Sequence, residues 1–172
     1  MKASFFLLIA LAFLASCGVG IRSNLILAPF PSTTLPCVYK VDVSDINAGN
    51  MGGVAGADSI CGDNLPTNGT TSKAFITDGT ARVACTTANC SGGPSEHTNW
   101  VLVANTTYYL INGSIFGTTD ANALLNFPLS TAMESSTSPV WTGFATDWTS
   151  SANDCADWSS TAGNGAAATS SG

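Results

Sequence analysis

The chain has 172 residues, with five Lys or Arg against eleven Asp or Glu and a formal charge of −6. Such a balance repels nucleic acid and anionic lipid head groups, and it lacks the basic patch that polyanion binding requires, so nucleic acid is excluded as a partner. Charged residues are only 9% of the chain while Ser, Thr, Gly and Asn abound, a composition that fits an extracellular β- and loop-rich domain better than a cytosolic helical enzyme.

The N-terminus reads as an export signal. Lys2 supplies the positive charge, and Phe5 to Ala15 is an unbroken apolar run. As a helix rising ~1.5 Å per residue, it reaches only about half of a bilayer core. The run ends in Leu14-Ala15-Ser16-Cys17, the lipobox pattern, in which small residues precede a cysteine that accepts diacylglycerol before cleavage. Each buried methylene contributes ~0.8 kcal/mol and stable anchoring takes two chains, which a lipobox cysteine receives. Residues 1–16 are therefore expected to be a signal peptide, with Cys17 the lipidated first residue of the mature protein. Cleavage leaves about 156 residues and a formal charge of −7, room for one ordinary domain.

Residues 17–36 carry three prolines near their end and are expected to form a lipidated tether, although Leu25-Ile26-Leu27 is apolar enough to pack on the domain. Export places Cys37, Cys61, Cys85, Cys90 and Cys155 where disulfides persist. Cys85 and Cys90 flank a four-residue polar loop, so a local bridge is the simplest expectation. The odd number leaves one thiol unpaired or a partner outside the chain.

Val38–Val43 alternates as a strand, and the Gly52-Gly53 turn leads into a short helix that carries Val54, Ala57, Ile60 and Cys61 on one face. Gly56 within that helix costs ~1 kcal/mol against Ala and points to close backbone packing. Lys73–Thr77 reads as a strand closed by the Asp78-Gly79 turn. Trp100–Val103 and Thr107–Ile111 read as strands, followed by the Asn112-Gly113 turn and Ser114–Gly117. Val140–Phe144 is a further short strand. Beyond Ser159 the sequence loses every large apolar residue, and residues 161–172 are expected to be a disordered tail.

Taken in order, these landmarks resemble a known family. The motif from Asn47 to Cys61 (NAGNMGGVAGADSIC) is similar to the opening of the leptospiral endostatin-like surface lipoproteins, whose domain has long been labelled as of unknown function. Matches continue through Lys73-Ala74-Phe75, Arg82 with Cys85-Thr86-Thr87-Ala88-Asn89-Cys90, Asn99-Trp100-Val101-Leu102 and Asn105-Thr106-Thr107-Tyr108-Tyr109. They end with Ile115 to Asn122, Trp141-Thr142-Gly143-Phe144, Asp147-Trp148-Thr149, Cys155 and Trp158, so the resemblance spans roughly residues 37–160. It implies an α+β fold of C-type-lectin-like, endostatin type: a twisted, mostly antiparallel sheet with one or two short helices and long loops. It also implies a surface lipoprotein that binds host matrix proteins, plasminogen or complement regulators.

Two departures stand beside the likeness. Family chains usually continue into final strands ending in a Cys-Val-Glu-like motif, whereas this chain ends at Gly172, which implies truncation and the loss of the usual partner of Cys61. Cys61 is then either free or paired with Cys155, and the Cys61–Cys155 pair is the expectation. The arginine cluster for heparin and the N-terminal histidines for zinc in endostatin have no counterpart, so no metal or cofactor is expected.

Trp100 and Trp141 sit in strand patterns and belong to the core. Trp148 and Trp158 lie among Ser, Thr, Asn and Asp, and are the candidates for an exposed, partner-binding ring. Asp147, Asp154 and Asp157 lack the spacing of a calcium loop and read as a solvated acidic face. Glu96-His97 has no accompanying nucleophile, so no catalytic residue is assigned. The expected function is a non-enzymatic, adhesin-like surface lipoprotein; the alternatives are a carbohydrate-binding lectin-like module and a truncated remnant that binds nothing.

Overall fold

The computed structural model describes residues 13–16, 21–22, 25–28, 37–40, 46–47, 49–63, 73–110, 114–132 and 139–169. Their regular elements are β1 (Phe13–Ser16), β2 (Ile21–Arg22), β3 (Leu25–Ala28), β4 (Cys37–Lys40), β5 (Ile46–Asn47), α1 (Gly53–Asp63), β6 (Lys73–Ala74), β7 (Thr107–Tyr109), β8 (Ile115–Thr118), β9 (Pro139–Trp141) and β10 (Asn164–Thr169). The strands form three open sheets, in the orders β1-β10-β9, β2-β5 and β6-β3-β4-β7-β8. The pairings between these strands are antiparallel except that of β4 with β7, a parallel contact of Cys37 with Tyr109. The class is α+β, with short strands dominating.

Helix α1 forms where the sequence places it. Gly52 and Gly53 hold φ of 80° and 74° and turn the chain into it. Val54, Ala57 and Cys61 then fall on one buried face. A Cβ on Gly56 would lie 2.0 Å from the Met51 carbonyl oxygen, which is the close backbone approach its position suggested. The buried face of α1 meets Ile76, Trp141, Trp158 and Ala167 in one core. A second core gathers Phe75, Leu102, Tyr108, Phe116 and Leu125, with Trp100, Phe144 and Trp148 packed against it.

Residues Cys155–Trp158 make a single helical turn in which all four φ values are positive, 57°, 55°, 54° and 59°. Left-handed residues with side chains cost roughly 1–2 kcal/mol each. Several contacts offset that cost. Trp158 is wholly buried, its indole N–H donates to the Thr77 carbonyl at 2.9 Å, and its ring meets Trp141 edge-on at 5.8 Å. Its own carbonyl accepts from the Met51 N–H at 2.9 Å, which fastens the turn to the start of α1.

Several expectations need correction. The tail expected to be disordered contains β10, whose Gly165, Ala166 and Ala167 are buried against β9. Within the expected tether Ile21–Arg22 forms β2, and Leu25–Ala28 forms β3, the packing that its apolar residues allowed. The strand expected over Lys73–Thr77 stops at Ala74, because the Thr77 N–H turns to the Thr142 carbonyl and its hydroxyl to Arg82 and Ser150. Trp100–Val103 forms no ladder: the indole N–H of Trp100 reaches the Ala123 carbonyl and the Val103 N–H reaches the Tyr108 hydroxyl. The last four residues of the expected signal peptide form β1, paired from Phe13 with Ala167 to Ser16 with Asn164. Cys17 and the Asn112-Gly113 turn lie outside the described residues.

Candidate functional site

Asp147 initiates the tight turn that sets the site. Its Oδ1 accepts from the Thr149 N–H at 3.1 Å and the Thr149 hydroxyl at 2.6 Å. These bonds, the hydroxyl first, hold its carboxyl below the usual range, so it stays ionised in neutral solution. The Ala145 N–H donates to the Thr149 carbonyl at 2.8 Å and the Trp148 N–H to the Ala145 carbonyl at 3.2 Å, which closes the turn with Trp148 at φ 68°. An aromatic residue at positive φ is strained and persists only where its surroundings over-determine it.

Those surroundings come from the Cys85–Cys90 disulfide, which forms as the spacing predicts. Its loop docks on the Trp148 turn through the Asn89 N–H to the Asp147 carbonyl at 2.7 Å and a bridge between Cys85 and Thr149. Glu96 closes the loop from the other side. Its carboxylate accepts from the N–H and hydroxyl of both Thr86 and Thr87 and from the Gly92 N–H, at 2.5–2.9 Å. These donors, the Thr87 hydroxyl foremost, bring its pKa down to about 2. His97 is half-buried rather than exposed. Its two ring nitrogens face the carbonyls of Ala84 and Asn122, and the ring stacks on Trp100 at 5.9 Å. The Glu96-His97 pair thus braces these loops.

On this base stands a tier of rings. Trp148 touches Phe144, Phe75 and Trp100, with centroids at 5.4, 6.1 and 6.3 Å. Phe127 lies over Trp148 at 5.8 Å and 30°, and it is 53% exposed. The indole is thus sandwiched between the core and an open phenyl ring, with the Asp147 carboxylate next along the chain. Such a face can stack on planar or cationic groups and on apolar side chains.

Of the two tryptophans expected to bind a partner, Trp148 lies in this face. Trp158 is wholly buried and offers nothing to solvent. Phe127 was not singled out by the sequence reading. The signal was there in Asn126-Phe127-Pro128, a large ring held extended before proline inside a polar stretch. The Cys61–Cys155 pairing is overturned: Cys61 is a free buried thiol, and Cys155 is disulfide-bonded without it. Burial, then the Asp58 charge, pushes the Cys61 thiol up to about 12, so it stays protonated and inert.

Among the described residues no three His, Cys, Asp or Glu gather closely enough to hold a metal ion. No described helix is long and apolar enough to cross a membrane.

Residues 44–171 match the family described as protein of unknown function (DUF1554), about three quarters of the chain, and the chain belongs to that family. The match runs through β10, in keeping with a packed terminal strand. Neither a curated protein nor a solved structure matches the chain.

Proposed function

We propose that this member of the DUF1554 family is a lipid-anchored surface protein that binds host extracellular proteins without catalysing a reaction. The observation that carries the reading is the exposed Phe127 ring stacked on Trp148, fixed from beneath by the disulfide loop. Exposed aromatic anchors on a rigid base are the usual energetic centre of a protein interface. The Leu14-Ala15-Ser16-Cys17 lipobox supports export and anchoring through lipid. The likeness to the leptospiral endostatin-like lipoproteins supports a C-type-lectin-like form of the α+β fold and partners among matrix proteins, plasminogen and complement regulators. In this reading β1 belongs to the precursor alone, because cleavage before Cys17 removes it.

The test is binding of the purified full-length protein to immobilised laminin, fibronectin, plasminogen and complement regulators. Saturable binding that Phe127→Ala weakens about tenfold with an unchanged circular dichroism spectrum is expected. Binding no better than that of a denatured control removes the reading. Mass spectrometry of the mature N-terminus tests the anchor, which falls if Cys17 carries no diacylglycerol. The open ring of Phe127 also suits stacking on a sugar. A glycan array read with and without chelator separates that reading, since binding to glycans and not to the protein panel would replace the first.

A further inference from the structure

His97 occupies a position that a neutral imidazole cannot fully satisfy. Its Nδ1 lies 2.5 Å from the Ala84 carbonyl oxygen and its Nε2 3.0 Å from that of Asn122. Carbonyl oxygens only accept, and a neutral imidazole has one N–H to give, so one of the two contacts then sets a lone pair against a lone pair. The imidazolium has two N–H groups and satisfies both. The ring also stacks on Trp100 at 5.9 Å and 30°, and an aromatic face favours a cation.

The two carbonyls are unequal. Ala84 is wholly buried, and the sulfur near its oxygen, Cys90 Sγ at 3.2 Å, belongs to the disulfide and has no proton to donate. A buried carbonyl left without a donor is costly. Asn122 is half-buried, so water can take the place of the ring there. A single N–H therefore belongs on Nδ1, and Nε2 is the atom that gains and loses the proton. Among the charged groups around these loops, Glu96 and Asp147 are held below the usual carboxylate range and stay charged above pH ~5. Asp120 Oδ1 accepts from the Asn122 and Leu124 N–H groups at 2.9 Å, and Arg82 is paired with Asp58. Residues 83–172 contain no Lys or Arg, so His97 is the one side chain in that half that can become a cation.

We infer that His97 is a proton-operated clamp between the disulfide loop and the turn from Asp120 to Leu124. With a proton on each nitrogen the ring fastens both. Loss of the Nε2 proton to water keeps Ala84 and releases Asn122, which is then held to the loop by its side-chain N–H on the Cys90 carbonyl at 3.3 Å. The turn reaches the aromatic face through Trp100, whose indole N–H donates to the Ala123 carbonyl at 2.9 Å and whose ring packs on Trp148. Acidification through the range in which histidine titrates, about pH 8 to 5, thus stiffens the base beneath Trp148 and Phe127. The clamp stands independently of the binding function proposed above.

The experiment follows the isotope-labelled full-length protein, in detergent micelles, by NMR at about pH 5.5 and about pH 8. The ring-nitrogen shifts of His97 are expected to show protons on both nitrogens at the lower pH and on Nδ1 alone at the higher. Amide hydrogen exchange of Asn122, Ala123 and Leu124, corrected for intrinsic exchange, is expected to be about three- to tenfold faster at the higher pH, as one lost hydrogen bond would make it. The amides of Ala57 and Cys61 in α1, which belong to the other core, are expected to change by less than about twofold. His97→Gln, whose side chain does not titrate, is expected to lose the pH dependence of the turn. A ring that keeps one protonation state throughout, a neutral ring protonated on Nε2, equal protection of the turn at both pH values, or a change shared by α1 overturns the inference. So does a His97→Gln protein that keeps the wild-type pH dependence. Should that variant not fold, the wild-type comparison of the turn with α1 decides alone.

Discussion

Glu96 gathers five donors from Thr86, Thr87 and Gly92 around one carboxylate, and the charged form is the one they stabilise. Its pKa falls from 4.5 in the unfolded chain to about 2 when folded. Its contribution is therefore fully present above pH 4.5 and is lost as pH falls toward and through 2. Urea denaturation of the wild type and Glu96→Gln across this window is expected to show a steeper acid loss in the wild type. Parallel curves would remove Glu96 from the account of acid stability. The same residue illustrates what sequence leaves hidden: a Glu before a lone His looks like half of a catalytic pair. Only the folded loop shows that its acceptors are already filled by its neighbours.

Strand β10 owes its place to smallness. A Cβ on Gly165 would lie 2.1 Å from the Trp141 ring, so the indole packs flat against bare backbone. Ala166 and Ala167 continue the same buried strip. Gly165→Ala is expected to destabilise the protein by about 1–3 kcal/mol through overpacking, read from the urea midpoint and slope. A change within about 0.5 kcal/mol, as for a surface site, would show that β10 does not pack as described. The segment around it (SSTAGNGAAATSSG) was illegible as a strand because its apolar contribution is made by the ring it accommodates, far away in sequence. Elements that carry their own pattern were legible: α1 from its spaced apolar face, β7 and β8 from β-branched and aromatic residues, and the Cys85–Cys90 bridge from its short loop. Trp158 misled for the opposite reason, since polar neighbours in the chain disguise a residue whose partners, Thr77 and Trp141, are distant.

At the scale of the molecule, Arg82 ties three separate parts of the chain together. Its guanidinium holds both oxygens of Asp58 on α1 at 2.9 and 2.7 Å, the Ala74 carbonyl on β6 at 2.6 Å and the Asn99 carbonyl at 3.1 Å. Asp58 thereby couples the helix core to the segment leading into the aromatic core. Asp58→Ala leaves a buried cation without its counter-charge and is expected to cost about 3 kcal/mol, seen as a lower urea midpoint. A loss below about 1 kcal/mol would mean that the carbonyls alone satisfy Arg82. The aromatic face stands on this frame: Trp100, next to Asn99, packs beneath Trp148.

The absence of Lys and Arg after position 82 has a practical side. Enzymes that cut after basic residues find no bond to hydrolyse in the last 90 residues, and Arg82 itself is sealed inside the protein. Trypsin-like proteases would leave this half of the molecule whole. Shaving intact cells to establish exposure therefore calls for a protease of another specificity, and one that cuts after aromatic residues still spares the exposed Phe127, because Pro128 follows it.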